Sequence, residues 1–252
     1  MEKGEVIVVK ILKRILVVIL SVLVLSTGGF FIWAEMPFEA APEALAALES
    51  DSQVTVTAGD TIVFQPADIR PSTGFIFYPG GRVDYRAYAV PLREIAARGY
   101  LVVLLPVRLN LAFFDVNAAS PVFADHPDIS HWAVGGHSLG GVASSLFAKD
   151  HLNQVDGIIF WASYPADESL AQSDLSILSI YGTRDMAGAG KFDETRALLP
   201  AGTEYVVIEG GNHAQFGDYG FQPGDNAATI SRADQQAQVV NASADFLSRL
   251  GK

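Results

Sequence analysis

The chain has 252 residues, half of them hydrophobic, no cysteine and a formal net charge of −11. Four of the 17 basic residues and two of the 28 acidic ones precede Ile15, which leaves 13 basic against 26 acidic side chains beyond it, a balance that phosphate backbones repel and that argues against nucleic-acid binding. Lack of cysteine excludes disulfides, thiolate metal sites and a thiol nucleophile, while the length and apolar fraction fit one sizeable folded domain.

Residues 1–14 form a basic N-terminus that ends in Lys13 and Arg14. Residues 15–34, "ILVVILSVLVLSTGGFFIWA", carry no charge. Twenty helical residues span about 30 Å, the thickness of a bilayer's hydrocarbon core. With Lys10, Lys13 and Arg14 before the run and Glu35 after it, the positive-inside rule keeps the N-terminus cytoplasmic and exports the body. A cleaved signal peptide has an apolar region of only about 7–15 residues. The run continues past Ser26 and Gly28, so an uncleaved signal-anchor is expected, with a cleaved signal as the alternative. Residues 35–51 read as a linker with a short helix, punctuated by Pro37 and Pro42.

The body, residues 52–252, begins with alternating apolar and polar residues on both sides of Ala58-Gly59-Asp60, which is a hairpin pattern. "GFIFYPGG" is a short apolar strand stopped by a sharp loop. "YRAYAVPLREIAARG" has helical spacing, and "YLVVLLP" is a second continuous apolar strand. The connection 107–130 is expected to hold a helix over Ala112–Asp125, broken near Pro121. Then follow the strand "HWAVGG", the helix "LGGVASSLFAKDH", the strand "DGIIFWAS", a polar connection and the strand "LSILSIYG". The helix "GKFDETRALLP", the strand "EYVVIEGG" and a final helix capped by Thr229 or Ser231 complete the chain. Unalternated apolar strands separated by helices predict an α/β domain: a doubly wound, mostly parallel sheet covered on both faces. In such sheets functional groups gather beyond the carboxyl ends of the strands.

Ser138 lies between a strand and a helix, inside Gly136-His137-Ser138-Leu139-Gly140. A bare G-x-S-x-G arises by chance in a chain this long on the order of one time in ten. Its placement is the stronger signal. A strand that runs straight into a helix through one residue forces that residue into a strained turn with its side chain at the apex. A serine hydroxyl needs a base, and the base needs a carboxylate to orient it. After "LSILSIYG" comes Asp185, and after "EYVVIEGG" comes His213, each beyond the end of its strand. The order Ser138, Asp185, His213 is the one diagnostic of a strand-to-helix nucleophile in a sheet of this kind. Asp218 and Asp225 follow His213 and rank below Asp185 for that reason. An oxyanion hole is expected from the backbone N–H of Leu139 and of Gly81 or Arg82 in the loop "YPGGRVD". Tyr78, Tyr164 and Phe216 are candidate pocket residues, with core packing an equal reading for each. His137 is expected to pack. His126, Asp128 and His131 lack the spacing of a metal site, so neither metal nor cofactor is expected.

The segments "FYPGGRVD", "YAVPLREIAARGYLVVL", "GGHSLGG", "DGIIFWASYP", "SIYGTRD" and "EGGNHAQFGDYG" together resemble the α/β-hydrolase superfamily. More narrowly, they resemble the small bacterial "alpha/beta hydrolase fold-5" group related to dienelactone hydrolases. The resemblance implies a Ser138–Asp185–His213 triad and hydrolysis of small esters or thioesters through an acyl-enzyme. Ser138 stands where dienelactone hydrolases use cysteine, so their substrate does not carry over. The same residues serve an acyltransferase, and a silent binding module of this fold is the alternative from another class. Only nine residues, Ala166 to Asp174, join "WASYP" to "LSILSIYG", too few for an inserted lid domain.

Overall fold

A computed structural model describes the backbone of residues 2–251 and the side chains of residues 10, 12–188 and 190–251. The described residues form two compact units that divide between Pro37 and Phe38.

The first unit is one helix, α1 (Glu2–Ala34). Within it Leu12–Ala34, which contains an 18-residue window of mean hydropathy 2.7, is long and apolar enough to cross a membrane or to act as a signal sequence. Its leucine, isoleucine and valine side chains are exposed along the whole run.

The second unit opens with a short helix, α2 (Pro42–Ala46), which has proline in its first turn. Upstream of it, Phe38 makes an isolated parallel bridge to Val83. The Phe38 N–H donates to the Arg82 carbonyl at 2.6 Å, and the Phe38 carbonyl accepts from the Asp84 N–H at 2.9 Å. Strands β1 (Val54–Ala58) and β2 (Ile62–Pro66) form the expected antiparallel hairpin. Then come β3 (Thr73–Tyr78), α3 (Ala89–Ala97) and β4 (Leu101–Leu104).

The connection after β4 departs from expectation. Three single 3₁₀ turns, Arg108–Asn110, Ala112–Phe114 and Val116–Ala119, precede a helix, α4, that covers only Ser120–Asp125. Pro121 sits in the first turn of α4, so it starts that helix and does not break one. The first-turn N–H has no intrahelical partner to lose, and the fixed φ of proline suits the position.

The rest follows the pattern: β5 (His131–His137), α5 (Leu139–Asp150), β6 (Gly157–Trp161), β7 (Ser176–Gly182), α6 (Ala189–Thr195), β8 (Glu204–Ile208) and α7 (Arg232–Leu247). Ser231 caps α7, its side chain accepting from the Asp234 N–H. The sheet order is β1-β2-β4-β3-β5-β6-β7-β8, with β2 antiparallel to both neighbours and every pairing from β4 to β8 parallel.

The continuous apolar runs are explained by burial on both faces. Along β3, Phe75 and Phe77 enter one core, with Leu92 and Ile95 of α3 and Val239 and Phe246 of α7. The alternate residues Ile76 and Tyr78 enter the other, with Val122 of α4 and Phe147 of α5. Strand β6 divides in the same way, Ile159 and Trp161 against Ile158 and Phe160. A strand buried on both faces has no polar side to show, so period-2 alternation disappears. The chain leaves β3 toward β4 on one side and returns to β5 on the other. Between the carboxyl ends of β3 and β5 lies the topological switch point, where such sheets place their ligands.

Candidate active site

Ser138 occupies the single residue between β5 and α5. Its φ of +51° and ψ of −120° lie in a region that non-glycine residues rarely occupy. The strain is held from several sides. The Ser138 N–H donates to the Trp161 carbonyl at 3.0 Å. The Ser138 carbonyl accepts from the Gly141 N–H at 3.1 Å and from the Ser163 hydroxyl at 2.6 Å. Glycine is required on both flanks: a Cβ on Gly136 or Gly140 would collide with the backbone carbonyl of Tyr78 at the end of β3.

His213 follows β8 and is almost completely buried, as is Asp185 after β7. His213 Nδ1 lies 2.8 Å from Asp185 Oδ2. A carboxylate only accepts, so Nδ1 carries the proton and the Nε2 lone pair is left for another partner. The other oxygen, Oδ1, accepts from the Ala187 N–H at 2.8 Å, which fixes the carboxylate. Ser138 and His213 line one cavity of about 270 Å³, together with Leu139, Val142, Tyr164 and Met186. Among the described residues no direct hydrogen bond joins the two side chains; such bonds are often long in unliganded enzymes and tighten with substrate.

The Leu139 N–H heads α5, where it has no intrahelical acceptor. Gly81 lies against Leu139: a Cβ there would stand 3.2 Å from Leu139 Cδ2. Neither N–H has a hydrogen-bond acceptor among the described residues. Arg82 is corrected as an oxyanion donor, because its N–H is taken by the Asn110 carbonyl at 2.7 Å.

Two of the three pocket candidates are also corrected. Tyr78 is wholly buried, with its hydroxyl donating to the Val116 carbonyl at 2.6 Å and accepting from the Ala119 N–H at 3.2 Å. It ties down the loop after β4 from the face of the sheet that holds α5. Phe216 is wholly buried too, stacked on His137 at 5.5 Å with 22° between the planes. Tyr164 alone of the three lines the cavity.

The loop that bears His213 is held by residues the sequence reading did not single out for that task. Asp225 accepts from the Ala214 N–H at 2.8 Å and the His213 N–H at 3.3 Å. Gln235 of α7 is completely buried; its Oε1 accepts from the Asn212 N–H at 3.0 Å, and its Nε2 donates to the Asn212 carbonyl at 2.8 Å. A glutamine on the inward face of an amphipathic helix was the available signal. Asp218 pairs with Gln236 at 3.1 Å and with Arg232 at 3.2 Å, so it is not bonded to the imidazole. Burial raises its carboxyl above the usual range, against the opposing pull of Gln236 and Arg232.

His137 is wholly buried. Its pKa is held well below that of an ordinary imidazole, first by burial and then by repulsion from His213, against the opposing effect of the His213 backbone. Among the described residues no group of three or more metal-ligating side chains is placed to hold a metal ion.

A family model described as "Alpha/beta hydrolase family" matches residues 74–237. Solved structures similar to the chain include the esterase domain of a Rhodothermus marinus protein, at 14% identity and a TM-score of 0.61, covering 79% of this chain and 99% of that one. Dienelactone hydrolase from Anabaena variabilis aligns at 15% identity with a TM-score of 0.58, covering 79% and 99%. Carboxyl esterase 2 from Tuber melanosporum aligns at 12% identity with a TM-score of 0.57, covering 85% and 91%. At these identities the likeness is one of fold. No curated protein sequence matches the chain.

Proposed function

We propose that this chain, which belongs to the alpha/beta hydrolase family, is a serine hydrolase of small carboxylic esters or thioesters. The observation that carries the reading is the buried His213–Asp185 pair beside a cavity that also admits the strained Ser138. Ser138 Oγ attacks the substrate carbonyl carbon while His213 Nε2 takes its proton. Asp185 holds the Nδ1 proton and stabilises the imidazolium. The N–H groups of Leu139 and Gly81 stabilise the developing oxyanion. The leaving alcohol or thiol departs with the proton from His213. Water, activated by the same imidazole, then releases the acid and restores Ser138.

The size of the substrate follows from the walls. A cavity of about 270 Å³ lined by Val142, Ala162, Met186 and Ala187 accommodates a short acyl group. The nine-residue connection that could have held a lid is pinned instead: the Ala166 N–H donates to Ser145 of α5 at 3.0 Å, and Leu170 is buried. Residues 15–34, within the apolar helix, serve as a signal-anchor, with the body outside the cytoplasm; the basic residues Lys10, Lys13 and Arg14 before that run support the orientation.

The test is labelling of the full-length protein, in detergent, with a fluorophosphonate probe. The expected adduct maps to Ser138, is absent in Ser138→Ala, and accompanies turnover of acetyl or butyryl esters. Turnover without an adduct at Ser138, or exclusive preference for long-chain emulsified triglycerides, contradicts the reading.

A further inference from the structure

Beneath the proposed base lies a second, buried imidazole that the mechanism does not use. His137, the residue before the nucleophile, has its ring centroid 4.4 Å from that of His213. Phe216 stacks on it as well. Its Nδ1 is 2.8 Å from the hydroxyl of Tyr88, itself wholly buried. The same hydroxyl accepts from the Gly80 N–H at 3.1 Å. Gly80 precedes Gly81, the proposed second oxyanion donor. The hydroxyl of Tyr88 has one proton to place, and burial holds it on, since the tyrosine pKa is pushed far up. Gly80 N–H is a donor, so the tyrosine proton has one acceptor among the described residues, His137 Nδ1. His137 is then the neutral Nε2–H tautomer. That Nε2 is buried without a well-formed hydrogen bond among the described residues, and the His213 backbone is its polar neighbour.

Resting on the serine-hydrolase reading, we infer that Tyr88 and His137 are positioning residues: the path Gly80 N–H to Tyr88 Oη to His137 Nδ1, with the His137 ring against that of His213, holds the oxyanion loop and the base in register across the nucleophile. Three features support this. The path begins one residue before the oxyanion donor, runs through the residue adjoining Ser138 and ends on the base. It crosses from the loop after β3 to the loop after β8, two segments far apart in sequence that the reaction needs together. Gly80 is compatible with it for lack of a side chain, since a Cβ there would lie 2.7 Å from both Tyr88 Oη and His137 Nδ1. A neutral His137 also adds no second positive charge beside His213 when the base takes its proton. Misplacing either the donor or the base by about 1 Å costs about 100-fold in rate, so a loosened path is read in kcat and not in KM.

Kinetics and imidazole NMR on the full-length protein test this. Tyr88→Phe removes one oxygen from a buried ring and leaves its volume. It is expected to lower kcat about 10- to 100-fold with KM within about threefold of wild type, while the probe still labels Ser138, more slowly. His137→Asn keeps an acceptor near the Nδ1 position and is expected to retain several-fold more activity than His137→Leu. Nitrogen-15 imidazole spectra of the wild-type protein at pH 7 are expected to show His137 neutral and protonated at Nε2. Tyr88→Phe turning over within twofold of wild type, or a His137 protonated at Nδ1, overturns the inference. If the wild-type protein neither labels nor turns over, the serine-hydrolase reading fails first, and the tautomer still decides whether the hydrogen-bonded path exists.

Discussion

Two cavities open at opposite ends of the parallel strands. The one at the amino ends is the larger, about 620 Å³, lined by Gln65, Arg70, Asp125, His126 and Asp128 among others. Arg70, Asp125 and Asp128 are exposed there, and their charges are solvated. The cavity at the carboxyl ends is less than half as large, about 270 Å³, yet it adjoins a serine at φ +51°, an imidazole 4% exposed and a carboxylate 1% exposed. Volume alone favours the amino end. What separates them is the cost the fold bears: buried polar groups kept in exact pairs and a backbone held out of its preferred region, conditions that persist only where surrounding structure enforces them.

Substitutions at the two ends turn that contrast into numbers. Ser138→Ala is expected to lower ester turnover by about 10⁴-fold or more and to abolish the phosphonate adduct. A residual adduct elsewhere in the chain would move the chemistry away from the carboxyl end. Asp185→Asn is expected to cost between about 10²- and 10⁴-fold in kcat, because the amide no longer fixes the imidazole with its proton on Nδ1. Unchanged turnover in that variant would assign the carboxylate elsewhere.

The effect of His137 on stability is smaller and depends on pH. Its folded pKa is depressed, so the unfolded chain binds a proton that the native state refuses. The contribution of this residue is complete above about pH 6.5 and is lost as pH falls below that, by up to about 1.4 kcal/mol per pH unit, until the native ring protonates. Unfolding free energies measured between pH 7 and 5 are expected to be steeper in wild type than in His137→Asn. Parallel curves would show that the ring is not held neutral. At the other end, Asp125→Asn and His126→Ala are expected to leave kcat/KM within about twofold of wild type. A larger loss would make the roomier cavity a functional site.

Much of the carboxyl-end site was legible because its constraints are local or ordered. Gly136 and Gly140 flank Ser138 because the carbonyl of Tyr78 passes too close for any Cβ. Asp185 and His213 each follow a strand whose apolar run is unmistakable. The parts that were not legible depend on which face a side chain takes or on what a backbone group meets across space. Tyr78 alternates with Phe77 into the second core, where the backbone of Val116 and Ala119 takes its hydroxyl, so it does not line the cavity. Arg82 looked equivalent to Gly81 until the Asn110 carbonyl, 28 residues on in the chain, claimed its N–H. The region after β4 misled for another reason. Its apolar residues Leu111, Ala112, Ala119 and Val122 are buried from a chain of separate short turns, so spacing that mimics a helix arises without one. Gln235 stands out as a polar residue on the inward face of α7, but its partner is the backbone of Asn212, which no side-chain pattern encodes.

The bridge between Phe38 and Val83 bears on where the polypeptide can be cut. Phe38 grips the carbonyl of Arg82 and the N–H of Asp84, immediately beyond Gly81, so the stretch before the first strand braces the loop of the proposed second oxyanion donor. Proteolytic shedding at residues 35–37 would release a body with that brace in place. A nick at residues 47–53 would leave the sheet whole and hold the brace by its non-covalent contacts alone, among them the Ala41 N–H to the Asp218 carbonyl and the packing of Phe38 on the core.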